Sequence, residues 1–219
     1  LIAEGHLGNG FVLFSNTDKE IVLDFKNSVI EFDDKLIIKD HGEHNYRISK
    51  KDRLVDRSNM KLVTDEKGMF SKGTVAPQKK SSIHQWFIDM DLYGKLSYDK
   101  FIPNCIFQLD KKKLSLFLNI LFSCDGSIYK HKTSHGKIWE ISYSSSSKTL
   151  IHQVHHLLLR FGILSRIRTK NVSCNGKKFR SYEIAIGTDN VTKFVKEIGF
   201  FGEKVKRCEL YLKELELSD

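Results

Sequence analysis

The chain has 219 residues, of which 40% are hydrophobic and 29% are charged, and it contains 2 prolines. This composition excludes a disordered or fibrous chain, and the length suffices for one domain or two closely packed halves. The net charge of +9 favours a polyanionic partner such as DNA.

The basic excess lies wholly in the second half of the chain. Residues 1–110 contain 16 Lys and Arg against 17 Asp and Glu, whereas residues 111–219 contain 20 against 10. The four cysteines form no CxxC pair, so a zinc site is not expected and a reduced, intracellular setting fits. No apolar run reaches membrane-spanning length and no signal peptide is visible, so a membrane partner is not expected.

The first segment, Leu1–Gly5, consists of apolar residues that run into an acid followed by glycine. A strand pair is predicted around residues 8–16. The polar cluster Ser15–Asp18 then supplies N-cap oxygens for a helix whose apolar residues recur at helical spacing. These apolar residues are Ile21, Phe25, Val29 and Phe32. Alternation predicts a second strand pair around residues 35–49.

A polar stretch at about 52–81 has no later counterpart, and it predicts a long loop or a small inserted element. A short helix follows at Ile83–Phe87. The first copy of the pattern closes on the segment Lys100-Phe101-Ile102-Pro103.

The segment Leu121–Gly126 repeats the pattern of apolar residues, acid and glycine, and the later landmarks also recur. Strand pairs are predicted around 127–144 and 164–187, with a serine-capped helix between them. The apolar residues of this helix are Leu150, Val154, Leu158 and Phe161. The chain therefore predicts two αββαββα repeats, one over residues 1–103 with a shortened first helix and one over residues 104–219. A pseudo-twofold axis would relate them.

The first hairpin of the second copy is longer than its counterpart, and the added residues are basic. They are Lys130, His131, Lys132, His135 and Lys137. Such a tip can probe a DNA groove, although a solvated turn has the same composition.

These motifs resemble the LAGLIDADG homing endonucleases, specifically the type encoded within inteins. The resemblance rests on Leu1–Gly5, on Lys100–Pro103 with Phe117–Gly126, and on the later segments Ser144–Ile163 and Ile198–Phe200. It implies an α+β fold in which the two pseudo-symmetric repeats form a saddle of two antiparallel sheets. It also implies a monomer that binds double-stranded DNA.

The chain departs from the family pattern at several positions. Ile120 stands where glycine is common, Ser123 replaces an acid, and Glu4 stands where Asp is usual. The first motif helix lacks its upstream turns and no splicing residues are visible at either end, so a fragment is expected.

The resemblance implies that Glu4 and Asp125 meet at the pseudo-axis, where they bind Mg²⁺ together with Gly5 and Gly126. Mg²⁺ needs only one or two carboxylates and can activate water for phosphodiester hydrolysis. The alternative is that these acid-glycine pairs merely end helices. The family also places a lysine near each active site. The candidates are Lys100 in the first copy and, in the second, Lys204 with Lys206 as a rival.

DNA contacts are expected from basic side chains that alternate along the strands. The candidates are Lys39, Arg47, Lys130, Lys132, Arg166, Arg168, Lys170, Lys178 and Arg180.

The function expected from these features is Mg²⁺-dependent, site-specific cleavage of both strands of a long, asymmetric DNA target. The alternative is a module of the same fold that binds DNA or RNA without cutting it, as maturases and regulators of this architecture can.

Overall fold

The computed structural model describes residues 1–6, 11–51, 80–134, 136–174, 176–187 and 189–217. The strands are β1 (Gly5–His6), β2 (Val12–Ser15), β3 (Leu36–Asp40), β4 (Asn45–Lys50), β5 (Gly126–Thr133), β6 (Gly136–Ser145), β7 (Arg166–Cys174) and β8 (Lys177–Gly187). The helices are α1 (Lys19–Phe32), α2 (Ser82–Asp89), α3 (Asn104–Phe107), α4 (Lys111–Asp125), α5 (Lys148–Leu159), α6 (Asp189–Glu197) and α7 (Val205–Glu216). Most of the stretch at about 52–81 lies outside the described residues, and so does His135.

The strands form two antiparallel sheets with the same topology. Their strand orders are β1-β2-β4-β3 and β5-β6-β8-β7. The register is also equivalent, because Gly5 lies opposite Phe14 in one sheet and Gly126 lies opposite Tyr143 in the other. The α+β fold with two pseudo-symmetric sheets is therefore confirmed.

The polar clusters before α1 and α5 cap these helices. Asp18 accepts hydrogen bonds from the first turn of α1, and Ser147 accepts one from the first turn of α5. The predicted amphipathic helix is confirmed in α1, although Phe32 is 44% exposed. It lies at the last residue of α1, past the buried stripe, and contacts the edge of the partly exposed Trp86 at 5.7 Å between ring centroids.

Each sheet packs its helices into a separate hydrophobic core. The first core contains Val12, Phe14, Ile21, Val22, Phe25, Val29, Leu36, Ile48, Ile83, Phe87 and Leu92. The second core is larger and includes Ile102, Leu118, Phe122, Ile141, Val154, Leu158, Ile184 and Phe194. In the part of the chain that the structure describes, no helix combines the length and hydropathy needed to cross a membrane. We call residues 1–103 and 104–219 the first and second halves below.

Candidate active site

The two acid-glycine segments lie where the halves meet. Glu4 ends the initial turn and Asp125 ends α4, and the glycine after each acid begins the first strand of its sheet. Each segment packs into the opposite half: Ile2 and Ala3 contact the second core, and Cys124 contacts the first. This reciprocal packing brings the two carboxyl groups into one electrostatic environment.

The electrostatics of the carboxyl groups reflect this proximity. Desolvation by burial raises the pKa of Glu4, and the nearby Asp125 raises it further, while a hydrogen bond from Asn16 acts in the opposite direction. Desolvation also raises the pKa of Asp125, against the effect of Lys100 and Lys204. Asp125 remains accessible to solvent and Glu4 is half-buried. Both carboxyl groups can therefore be reached by a ligand, and their charged forms are destabilised by burial unless a ligand compensates the charge.

The two lysines hold equivalent positions. The Lys100 Nζ atom donates to the carbonyl oxygens of Ala3 and Gly5, both at 2.8 Å. The Lys204 Nζ atom donates to those of Ser123 and Cys124, at 2.6 and 2.9 Å. Each ammonium group thus contacts the backbone that flanks the acid of its own half.

The structure separates Lys204 from its rival, because Lys206 is exposed on the first turn of α7. Burial lowers the pKa of Lys100 and of Lys204, and the nearby acidic groups oppose that shift. Lys100 is 7% exposed, so its charge is held in place by the carbonyl dipoles and the acids rather than by water.

Asn16 holds Glu4 and was not identified from the sequence. Its Nδ2 atom donates to the Glu4 carboxylate, and its Oδ1 atom accepts from the Asp18 backbone N–H at 2.7 Å. The equivalent residue of the second half is Ser145, whose hydroxyl accepts from the Ser147 backbone N–H at 3.1 Å. The repeat alignment pairs Asn16 with Ser145, so it contained a signal for this polar position after the strand.

Glycine follows each acid for a steric reason and not because the backbone takes a positive φ there. Gly126 has an extended backbone (φ −86°), and neither Gly5 nor Gly126 has a positive φ. Instead, a Cβ atom at Gly126 would lie 2.6 Å from the Phe122 carbonyl oxygen, and one at Gly5 would lie 2.2 Å from that of Leu1. Close approach to the preceding turn of the backbone therefore requires glycine at both positions. The Gly5 carbonyl, a candidate metal ligand, accepts the hydrogen bond from Lys100.

Replacing Gly126 with Ala is expected to lower the free energy of unfolding by about 2 kcal/mol, since a backbone carbonyl cannot move aside as a flexible side chain would. Gly187→Ala is the matched control, because a Cβ there would meet nothing within 4 Å. Urea denaturation of both variants measures the difference. Equal stabilities for the two variants would contradict the steric explanation.

Strand register divides the nine candidate DNA-contacting residues between two faces. We call the face of each sheet that turns away from its helices the outer face. In the first sheet it carries Lys39 and Arg47, which lie directly opposite each other. In the second it carries Arg166, Arg168 and Lys170, which alternate with the partly buried Ile167.

The structure does not bring the other four candidates onto the outer face. Lys130 and Lys132 share the parity of the buried Ile128, whereas Lys178 and Arg180 share that of the buried Ile184. The Lys130 ammonium pairs with Glu214 of α7 at 2.6 Å. These four residues therefore lie on the other side of the second sheet, and their contact with DNA stays a prediction.

Two buried glutamates on the outer face neutralise part of its positive charge. Glu140 and Glu183 are 2% and 5% exposed. Arg168 binds Glu140 through two parallel hydrogen bonds of 3.1 and 2.9 Å, and Lys170 pairs with Glu183. Tyr129 donates to Glu140 at 2.7 Å. Arg168 and Lys170 thus serve the internal structure of the sheet as well as its surface charge.

Comparisons with known proteins agree with this architecture. The family model described as a LAGLIDADG-like domain matches residues 112–199. The replicative DNA helicase DnaB of Synechocystis is 35% identical over 124 residues, which are 55% of this chain and 14% of that protein. The protein RecA of Mycobacterium tuberculosis is 30% identical over 141 residues, which are 58% of this chain and 18% of that protein. The chain thus spans less than a fifth of the length of these relatives.

Among solved structures, a mesophilic variant of the homing endonuclease I-DmoI superimposes with a TM-score of 0.50 at 15% identity, over 89% of this chain and 86% of that one. At this level of identity the superposition establishes the fold. Together with the match of the family model, it confirms the resemblance drawn from the two acid-glycine motifs. Residues 112–199 of this chain match a LAGLIDADG-like domain, and the chain shares the fold of the homing endonuclease I-DmoI over 89% of its length.

Proposed function

We propose that the chain is a site-specific DNA endonuclease that cuts both strands of a duplex, with one acid and one lysine serving each strand. The observation that carries the proposal is that Glu4, Asp125 and two lysines converge at the junction of the halves. Lys100 and Lys204 are each anchored on the backbone carbonyls beside the acid of their own half. Hydrolysis of two strands requires two such sets close together, and the pseudo-twofold arrangement supplies them.

The donor set suits a divalent cation that takes oxygen ligands. Within the described ranges no group of three or more His, Cys, Asp or Glu side chains could enclose a metal. Mg²⁺ needs no such cage, because it commonly uses one or two carboxylates together with substrate phosphate oxygens and water. A dication would also offset the desolvation and repulsion that raise the pKa of Glu4. Glu4 and Asp125 would hold it, with Gly126 as a further candidate through its carbonyl oxygen. When bound, it would supply an activated water and neutralise charge on the phosphate.

The chain's own contribution is to place charge around the scissile phosphates. Asn16 fixes the direction of the Glu4 carboxylate. Lys100 and Lys204 are anchored on backbone carbonyls, so their ammonium groups are preorganised to stabilise negative charge or to orient the attacking water. Little reorganisation is then needed during the reaction.

The outer faces of the two sheets would bind the duplex. Lys39, Arg47 and Arg166 offer charge for phosphates or bases, whereas Arg168 and Lys170 present partly neutralised groups. The halves differ in charge and in outer-face residues, so one monomer would read a long and asymmetric sequence.

An association with inteins fits the comparisons. The matching segments are a small part of two differently named proteins, 14% of the helicase DnaB and 18% of the protein RecA. An element that inserts into unrelated host proteins gives this pattern.

Plasmid cleavage tests the function. Duplexes are first enriched from a randomised pool by binding in Ca²⁺, and the enriched sequence is then cloned and incubated with Mg²⁺ or Ca²⁺. The proposal expects linear plasmid in Mg²⁺ and intact plasmid in Ca²⁺. Enrichment without any cleavage in Mg²⁺ would show a binding module of the same fold, and absence of enrichment would reject DNA as the partner.

Salt dependence provides a second prediction. Because basic side chains would displace counterions from several phosphates, affinity for the enriched duplex should fall by about a thousandfold or more between about 50 and about 200 mM salt. Lys39→Ala and Arg166→Ala should each reduce the slope of log affinity against log salt by about one. Lys178→Ala is the matched control on the opposite face and should leave the slope unchanged. An equal change from Lys178→Ala would contradict the assignment of the outer face.

A further inference from the structure

The N-cap residues of α1 and α5 make bonds that reach beyond their own helices. The Oδ1 atom of Asp18 accepts from the first turn of α1, and its Oδ2 atom accepts from the Glu203 backbone N–H at 2.7 Å. The Ser147 hydroxyl accepts from the first turn of α5 and donates to the Lys100 carbonyl oxygen at 2.6 Å. Each cap therefore bonds the backbone at the lysine of the opposite half.

The turn that carries Lys204 is shaped around Asp18. Gly202 has φ +71°, a conformation that favours glycine, and a Cβ atom there would lie 2.2 Å from the Asp18 Oδ2 atom. The next residue, Glu203, donates the bond to Asp18, and Lys204 follows directly. The turn could not close on Asp18 in this way with a side chain at position 202.

Capping alone does not account for these contacts, since one side-chain oxygen suffices to cap a helix. Asp110 illustrates the simpler case: its Oδ1 atom caps α4 by accepting from the Lys113 backbone N–H, and its Oδ2 atom faces the Lys113 ammonium. Ser147 is fully buried although most N-cap serines can face water. Its position against the backbone of Lys100 requires the opposite half.

We propose that Asp18 and Ser147 are positioning residues that set the active-site lysine of the opposite half, so that docking of the two halves completes both cleavage sites. Asp18 positions Lys204 and Ser147 positions Lys100. The inference rests on the proposed endonuclease function. It adds that each half positions the lysine with which the other half cleaves its strand.

Strand-resolved cleavage tests this assignment. The enriched duplex is labelled at the 5′ end of either strand, and single-turnover cleavage in Mg²⁺ is followed for each strand. Lys204→Met and Lys100→Met define which strand depends on which lysine. Asp18→Ser retains a capping oxygen but loses the second one, and Ser147→Gly retains a residue tolerated at an N-cap but loses the hydroxyl.

The expected result is a matched pattern. Asp18→Ser should slow the strand that Lys204→Met slows by about tenfold or more, while the other strand changes far less. Ser147→Gly should act on the strand that depends on Lys100. Asp110→Ser, the matched capping control, should slow neither strand. Gly202→Ala would force the turn and the Asp18 carboxylate apart while keeping the Asp18 side chain itself, and it should reproduce the strand preference of Asp18→Ser even if that variant folds poorly.

Several outcomes would overturn the inference. The first is equal slowing of both strands by Asp18→Ser or by Lys204→Met. The second is that Asp18→Ser slows the strand that depends on Lys100. The third is that Asp18→Ser slows neither strand while its melting temperature equals that of wild type. A wild-type protein that cleaves neither strand would reject the proposed function instead, so the two failures are distinguishable.

Discussion

Replacing Asp125 with Asn should reduce cleavage of at least one strand by about a hundredfold or more, with little change in DNA affinity. The amide keeps the shape of the side chain but removes the charge that would hold the divalent cation beside the scissile phosphate. DNA binding should persist because the proposed DNA contacts lie on the outer faces of the sheets. Single-turnover cleavage and equilibrium binding of the enriched duplex measure the two effects separately.

The same substitution should stabilise the free protein at neutral pH. Desolvation raises the pKa of Asp125, so the folded chain holds this proton more tightly than the unfolded chain does. The stability that the carboxyl group contributes is therefore present at low pH and is lost as the pH rises through its folded pKa. Asn cannot ionise, and we expect a melting temperature at pH 8 that is higher by about 2–4 °C for each kcal/mol relieved.

Addition of Mg²⁺ should reverse the order of the melting temperatures, so that the wild-type protein becomes more stable than Asp125→Asn. Under the proposed function the cation would bind only the folded wild-type site, so it should raise the wild-type melting temperature and leave that of Asp125→Asn nearly unchanged. Asp24→Asn, an exposed substitution on α1, is the control and should behave as wild type. Double-strand cleavage at the full rate by Asp125→Asn would refute the assignment of this residue to the active site.

The position of the site was predictable because its signals are local and repeated. Glu4 and Asp125 each end an apolar segment and precede a glycine, and the register of the two sheets places them equivalently. Lys100 was implied by the family resemblance, as the lysine just before the Ile-Pro segment. The choice between Lys204 and Lys206 needed the structure, because the 3₁₀ turn Gly202–Lys204 decides which lysine faces the acids.

The supporting residues were not predictable from the same signals. The helix-capping role of Asp18 could be expected from its place before an amphipathic helix. Its second carboxylate oxygen reaches Glu203, which is 185 positions away, and local patterns contain no information about such a contact. The same holds for the hydrogen bond from Asn16 to Glu4, which depends on how the first strand pair closes.

The sequence predicted only in part which face of a strand each basic residue occupies. Lys130 and Ile128 lie two residues apart, so alternation alone assigns them to one face, and the burial of Ile128 directs Lys130 toward α7. The pairing of Arg168 with Glu140 depends on contacts across three strands, and the sequence does not specify their order. A row of alternating basic residues therefore overstated the charge available to DNA.

Arg168→Ala should lower the free energy of unfolding by about 2 to 3 kcal/mol at pH 7. It would leave the Glu140 carboxylate, which is 2% exposed, with the Tyr129 hydroxyl as its remaining side-chain partner in the described structure. The cost is below that of a fully buried pair because the Arg168 side chain is 39% exposed. Arg166→Ala, on the same strand and face, is the matched control and should weaken DNA binding without this loss. Urea denaturation of the two variants measures the difference.

The pH dependence identifies the cause. Burial alone would raise the pKa of Glu140, but hydrogen bonds from Tyr129 and Arg168 lower it overall. The stability from this carboxylate is therefore present above the unfolded pKa of about 4.3 and is lost as the pH falls through the lower folded value. The loss of unfolding free energy caused by Arg168→Ala should shrink as the pH falls through this range.

Adding Glu140→Gln to the Arg168→Ala variant should recover most of the lost stability, since a neutral amide is less costly to bury than an unpaired charge. A cost that persists at pH 3, or a double variant as unstable as the single one, would show that Arg168 stabilises the sheet by packing its aliphatic chain. Loss of DNA binding in Arg168→Ala can be assigned to a lost base or phosphate contact only after this charge effect has been separated.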